Sequence, residues 1–211
     1  MNERDWEILI DIKAKSLPIT VNDVVKCCGA IVTSYINGQN LIDENDFNYL
    51  TKNDGFTAII QGRYIIFYDD AIKSEERKRM AIMHELGHIY GRHLVTESDV
   101  FDGRATIFNN TSVKAPNIVE ESANNFALKV LAPACVLWGL KITKASDIGL
   151  LCKIPDAAAK QRADRMKVLY QRENEFLAYR GKTCFLQSPL ERRVYEQFSD
   201  FIIVEKKKMN K

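Results

Sequence analysis

The sequence predicts an α+β fold, mainly helical, with a small antiparallel β-sheet and a helical C-terminal region. Three observations carry this. Apolar residues recur at helical spacing in most segments. One stretch, Phe56 to Tyr68, is instead dense in β-branched and aromatic residues. After Pro133 the chain returns to helix-like segments alone. With 211 residues, 46% of them hydrophobic and 27% charged, the chain suits one generous domain with an appendage. The division is expected at residue 133, giving 1–133 and a helical region 134–211.

Taken in order, a first helix is expected from Asn2 to Lys15, stopping before Pro18, with Trp6, Leu9, Ile10 and the stem of Lys13 on one side. A second is expected from an Asn22 cap to Asn37-Gly38, with Val24, Val25, Cys28, Ile31, Val32, Tyr35 and Ile36 as its apolar stripe. A short helix follows near Asp46–Lys52. Phe56 to Tyr68, broken by Gln61-Gly62-Arg63, reads as a β-hairpin. Ser74, followed by Glu75 and Glu76, starts a helix reaching about Gly91. From Val95 to Pro116 no period is seen beyond a short strand at Ala105–Phe108. A helix runs from Asn117 to Leu131, closed by Pro133. Further helices are expected near Cys135–Leu140, Ser146–Cys152 and Asp156–Glu173, and from Pro189 to about Val204.

The net charge of +2 argues against binding nucleic acid by bulk charge alone. The charge is uneven, with 17 basic and 21 acidic residues over 1–159 and 13 and 7 over 160–211. No apolar run approaches the roughly 20 residues needed to span a bilayer. The mixed charges of Met1-Asn2-Glu3-Arg4-Asp5 are unlike a signal peptide. The five cysteines (Cys27, Cys28, Cys135, Cys152 and Cys184) are odd in number and contain no Cys-x-x-Cys pair. Free thiols in a reducing cytoplasm are the expectation, with no membrane partner.

The chemistry lies in His84-Glu85-Leu86-Gly87-His88. Residues four apart on an α-helix are separated by about 40° around the axis and by one turn along it. Both imidazoles therefore project from one face, spaced to grip one zinc ion. Glu85 lies about 100° round and is left to act as general base on a water at the open coordination position. A plain pair of core histidines is the alternative reading. A catalytic zinc site needs a third protein ligand. His93 is one residue early for the longer histidine motif, which requires a His where Leu94 stands, and a loop-packing role is its alternative. Glu120, in Glu120-Glu121-Ser122-Ala123-Asn124, would supply a carboxylate from a second helix. Small Ala123 would let the two helices close, and Asn124 would hold a ligand histidine in orientation. The alternative for Glu120 and Glu121 is acidic residues favoured by a helix N-terminus. Tyr64, Tyr68, Tyr90 and His93 are the candidate donors to a developing oxyanion, and the hairpin offers an edge where an extended peptide could add as a strand.

His84-Glu85-Leu86-Gly87-His88, then Glu120-Glu121-Ser122-Ala123-Asn124-Asn125-Phe126-Ala127 and Leu131-Ala132-Pro133, resembles the ImmA/IrrE metallopeptidases. The resemblance runs from about residue 20 to 175. It departs at Ala132, where the family usually carries Met or another bulky apolar residue. It implies a minimal zincin-like peptidase with one Zn²⁺ per chain, His84, His88 and Glu120 as ligands and Glu85 as catalytic acid/base. It further implies a cytosolic enzyme of bacteria, phages or integrative elements, whose substrate is a partner helix-turn-helix transcriptional repressor. A non-catalytic regulator that holds zinc and sequesters its partner would need the same residues.

Residues 145–172 have helix-turn-helix spacing, and Lys160, Arg162, Arg165 and Lys167 lie on the second helix. Two readings compete there: a DNA-contacting module, or a helical buttress that docks the partner protein. The resemblance favours the buttress.

Overall fold

The computed structural model describes residues 3–92, 106–107, 117–180, 183 and 185–209. In chain order its elements are α1 (Glu7–Asp11), α2 (Val21–Cys27), β1 (Ala30–Ser34), α3 (Gln39–Glu44), β2 (Gly55–Ile60), β3 (Arg63–Tyr68) and α4 (Glu75–Tyr90). There follow β4 (Thr106–Ile107), α5 (Asn117–Leu131), α6 (Ala134–Leu140), α7 (Ala145–Cys152), α8 (Asp156–Arg180), α9 (Pro189–Gln197) and α10 (Ser199–Met209). The α+β, mainly helical class is borne out. Contacts group the chain into two compact units, Thr20–Ala127 and Met1–Ile19 with Leu128–Lys211. The division falls within α5, and the first nineteen residues join the C-terminal unit rather than the metal-motif segment with which the sequence division at 133 placed them.

In the Thr20–Ala127 unit, β2 and β3 form the expected antiparallel hairpin, turned by Gln61 (φ 50°) and Gly62 (φ 73°). Two consecutive positive φ values are the two-residue turn that matches strand twist. The sheet as a whole is mixed rather than antiparallel. Its order is β1-β3-β2-β4, and β1 runs parallel to β3 from Ala30↔Tyr64 to Ser34↔Tyr68. The helix expected over 22–37 is therefore two elements, α2 and β1. Gly29, at φ +64°, turns the chain between them, and Ile31-Val32-Thr33 then favour a strand. The apolar stripe had mixed residues of both: Val24 is fully buried while Ile31 is 45% exposed. Asn22 does not cap α2; Thr20 precedes it, with no side-chain bond. The helix expected at 46–52 is a 3₁₀ turn over Phe47–Leu50, preceded by α3. The hairpin's edges are also less open than expected. β1 covers β3 along its length, and β4, at the strand expected near 105–108, pairs with β2 at Ala58 and Ile59.

The alternation of β2 and β3 sorts their side chains between two faces. Phe56, Ala58, Ile60, Ile65 and Phe67 join Tyr35, Ile42, Phe47 and Leu50 in one core. Phe56 stacks on Phe67 at 4.7 Å and on Tyr35 at 5.8 Å, with Phe47 edge-on. The opposite face, with Thr57 and Ile66, meets α4. Helix α4 starts as its sequence demands: the Ser74 hydroxyl accepts the Arg77 N–H at 3.2 Å, with Glu75 and Glu76 in the first turn. Met83 and Leu86, both fully buried, press its inner side into the core.

In the other unit, α1 is shorter than expected, and Ile8 joins Trp6 and Leu9 in its buried face. The Gln197 amide donates to the carbonyls of Leu9, which also accepts the Ala14 N–H, and of Ala14. The helix expected over 189–204 breaks at Phe198 into α9 and α10, and α8 runs on to Arg180. The apolar helical stretch Ile118–Leu140 is long enough to cross a membrane by length and composition. It contains Pro133, and 78% of its most apolar 18-residue window is buried, as in a core helix.

Arg162 does not stand with the outward basic residues that a DNA-contacting reading of α8 would need. It is 6% exposed, on the side of Ala158, Ala159, Ala163 and Met166, while Lys160, Arg165 and Lys167 face outward. Its Nε has no hydrogen-bond partner, and no carboxylate pairs with it among the described residues. Burial pushes its pKa down to about 10. A base whose folded pKa is lowered holds its proton less well when folded, so the cost is full below pH about 10 and vanishes as pH rises past the unfolded value. Arg162→Met is accordingly expected to stabilise the protein at pH 7 by about 1–4 kcal/mol, as other buried charges do when replaced by apolar groups. The check is calorimetry at pH 7 and above 10, where the gain should shrink.

Candidate metal centre

His84 and His88 stand one turn apart on α4, and their Nε2 atoms are 3.0 Å apart. Helix α5 brings the third group. A Cβ built on Gly87 would fall 2.9 Å from both the Cα and the carbonyl oxygen of Ala123, so the two backbones approach as closely as glycine allows. That contact sets the carboxylate of Glu120 over the histidines, Oε2 at 3.2 Å from His84 Nε2 and Oε1 at 3.5 Å from His88 Nε2. The donor atoms of His84, His88 and Glu120 all lie within 4.8 Å of one another.

The donor set fits a metal ion. Two ligands bound tetrahedrally to zinc at about 2.0–2.1 Å stand about 3.3 Å apart, the spacing these atoms already have. His84 Nδ1 lies 2.9 Å from Asn124 Oδ1. An amide oxygen only accepts, so Nδ1 carries the proton and Nε2 presents a lone pair toward His88 and Glu120. Glu120 Oε1 is buried without a hydrogen-bond partner among the described residues. A cation among these atoms would satisfy both.

Glu85, next along α4, is buried, and its Oε2 accepts a hydrogen bond from the Thr57 hydroxyl at 2.7 Å. Burial pushes its carboxyl above the usual range, with His84 and the Thr57 bond opposing and Glu120 adding to the rise. Thr57 was not singled out in the sequence. A β-branched residue in Phe56-Thr57-Ala58-Ile59-Ile60 reads as an ordinary strand former, and only its alternation toward α4 gives it a partner.

Of the residues expected at the site, His84, Glu85, His88, Glu120 and Asn124 come together, and Glu121 is exposed. Tyr64 and Tyr68 share the α4-facing side of β3 with Ile66, and the Lys78 ammonium sits 5.3 Å over the Tyr68 ring. The Tyr90 ring lies 5.1 Å from Phe126. His93 lies outside the described residues.

No protein of curated function matches the chain. The sequence pattern of the Peptidase_M78 family, the IrrE N-terminal-like domain, matches residues 43–171. The match takes in the hairpin, both motif helices and the three convergent donors, and supports a metallopeptidase-like role. It covers more than half of the chain, and the protein accordingly belongs to the Peptidase_M78 family.

Proposed function

We propose that the protein is a zinc-dependent endopeptidase, one ion per chain, that cleaves a specific regulatory protein in the cytoplasm, a helix-turn-helix transcriptional repressor. The observation that carries it is the spacing of the three donors from α4 and α5. In this reading His84, His88 and Glu120 hold the ion, and Asn124 fixes the ring of His84. Zinc supplies a Lewis acid for the scissile carbonyl and makes a nearby water more acidic. Glu85 takes the proton from the attacking water and passes it to the leaving amine. Tyr64, Tyr68 and Tyr90 are the described candidates to test as donors to the developing oxyanion.

In this reading an extended peptide adds along β2 near Thr57, the strand residue bonded to Glu85. A repressor substrate is supported by the resemblance of the two motif segments to ImmA/IrrE enzymes. Among the described residues Cys27, Cys28, Cys135 and Cys152 form no disulfide, as suits a reducing compartment. Direct DNA binding is outside the proposal: burial of Arg162 takes it from the outward basic residues, and Lys167 pairs with Asp164.

The test is co-expression with whichever helix-turn-helix repressor a neighbouring gene encodes. Wild-type protein should yield fragments, and His84→Ala none. Metal analysis should find one zinc per wild-type chain, with affinity reduced at least 100-fold by His84→Ala or Glu120→Ala, since each removes one of three ligands. Zinc and repressor bound without fragments would make the protein a sequestering regulator instead.

A further inference from the structure

We propose that Thr57 is the positioning residue of the reaction, orienting the general base Glu85 through the hydrogen bond from β2; the inference rests on the peptidase reading above. Thr57 is 1% exposed, and its apolar neighbours would be matched by valine, which has the same shape and an equal preference for strands. A buried hydroxyl is costly unless paired. Here it has one described hydrogen-bond partner, Glu85 Oε2, at 2.7 Å, the usual length for a hydroxyl donor.

A second observation lies two residues earlier on the same face of β2. A Cβ built on Gly55 would come 3.7 Å from Glu85 Cγ and 2.8 Å from the Phe67 carbonyl oxygen. The Phe67 carbonyl is what requires glycine there, while the Glu85 stem passes Gly55 at ordinary contact distance and its head is fastened at Thr57. One carboxylate oxygen is occupied by that bond, and the other is left to receive a proton. A free glutamate side chain has three rotatable bonds, and holding them in one arrangement is what a proton acceptor needs to meet water at a fixed place.

The experiment compares Thr57→Val and Thr57→Ser in the full-length protein. Cleavage is followed on casein and on the repressor that co-expression identifies. Thr57→Val is expected to lower kcat by about 10- to 100-fold, with KM and zinc content unchanged, and Thr57→Ser to recover most of the rate. In parallel, the metal-free protein is unfolded with denaturant for Thr57→Val, Glu85→Leu, which has no acceptor for the hydroxyl, and the double variant. The hydrogen bond predicts that the two substitutions together change the unfolding constant by about tenfold less than the product of their separate effects. Additive effects would overturn the proposal, as would a Thr57→Val enzyme within twofold of wild-type kcat, or Ser and Val variants equally slow. If wild-type protein binds zinc but cleaves neither substrate, the peptidase reading fails and the proposed role falls with it. The unfolding measurement would then still report whether the two side chains are coupled, so the two failures are distinguishable.

Discussion

Glu85→Gln should retain one zinc per chain and lose cleavage by 100- to 10,000-fold, the range that a positioned acid/base contributes. Glutamine has the same shape as glutamate and an amide oxygen that can accept from Thr57, so the packing between β2 and α4 is kept. The ligand atoms of His84, His88 and Glu120 belong to other side chains and are untouched. What disappears is the lone pair basic enough to take a proton from water. Because the carboxylate is buried, its neutral replacement should leave the melting temperature equal or higher. Cleavage by this variant at the wild-type rate would remove Glu85 from the mechanism. Loss of zinc would instead show that the residue supports the site.

Gly87→Ala should weaken zinc binding at least tenfold and lower stability, although alanine is the better helix former. Two effects compete. Replacing glycine inside a helix gains about 1 kcal/mol, whereas forcing atoms into a packed contact costs about 1–3 kcal/mol. The second wins because the new methyl would meet backbone, the Cα and carbonyl oxygen of Ala123 at 2.9 Å, rather than a side chain that can swing away. Helix α5 must then back off. Glu120 and Asn124 ride on the same helix, so the contacts they make with His84 at 3.2 and 2.9 Å lengthen together. Gly149→Ala is the control. Its Cβ would make ordinary contact with Ala159 at 3.4 Å, so that variant should keep its zinc affinity. Competition against a fluorescent chelator reads both. Unchanged affinity in Gly87→Ala would mean that the helix contact does not set the site.

Local signals in the sequence foretold local structure well. Ser74 followed by two glutamates capped α4. Gln61-Gly62 turned the hairpin, and Asn117 to Leu131 formed a helix with the expected bounds. Misreadings arose where the partner was distant in the chain. The stripe from Val24 to Ile36 suited a helix, and nothing local announced that Ile31 to Thr33 would pair in parallel with β3. Arg162 carried the signature of a surface cation and lies in the interior, a placement set by what packs against α8.

The sequence alone determined that His84 and His88 share a helix face and that Glu85 does not, because a helix fixes the angle between neighbours from spacing only. Which further group would join them was open, with Glu120 and His93 both in view. Tertiary structure settled Glu120's place by laying α5 against Gly87, and it supplied Thr57 to Glu85 from a strand whose sequence resembles any other. The physical reason is that spacing along one helix is fixed by its own hydrogen bonds. The distance between two elements depends on every side chain packed between them.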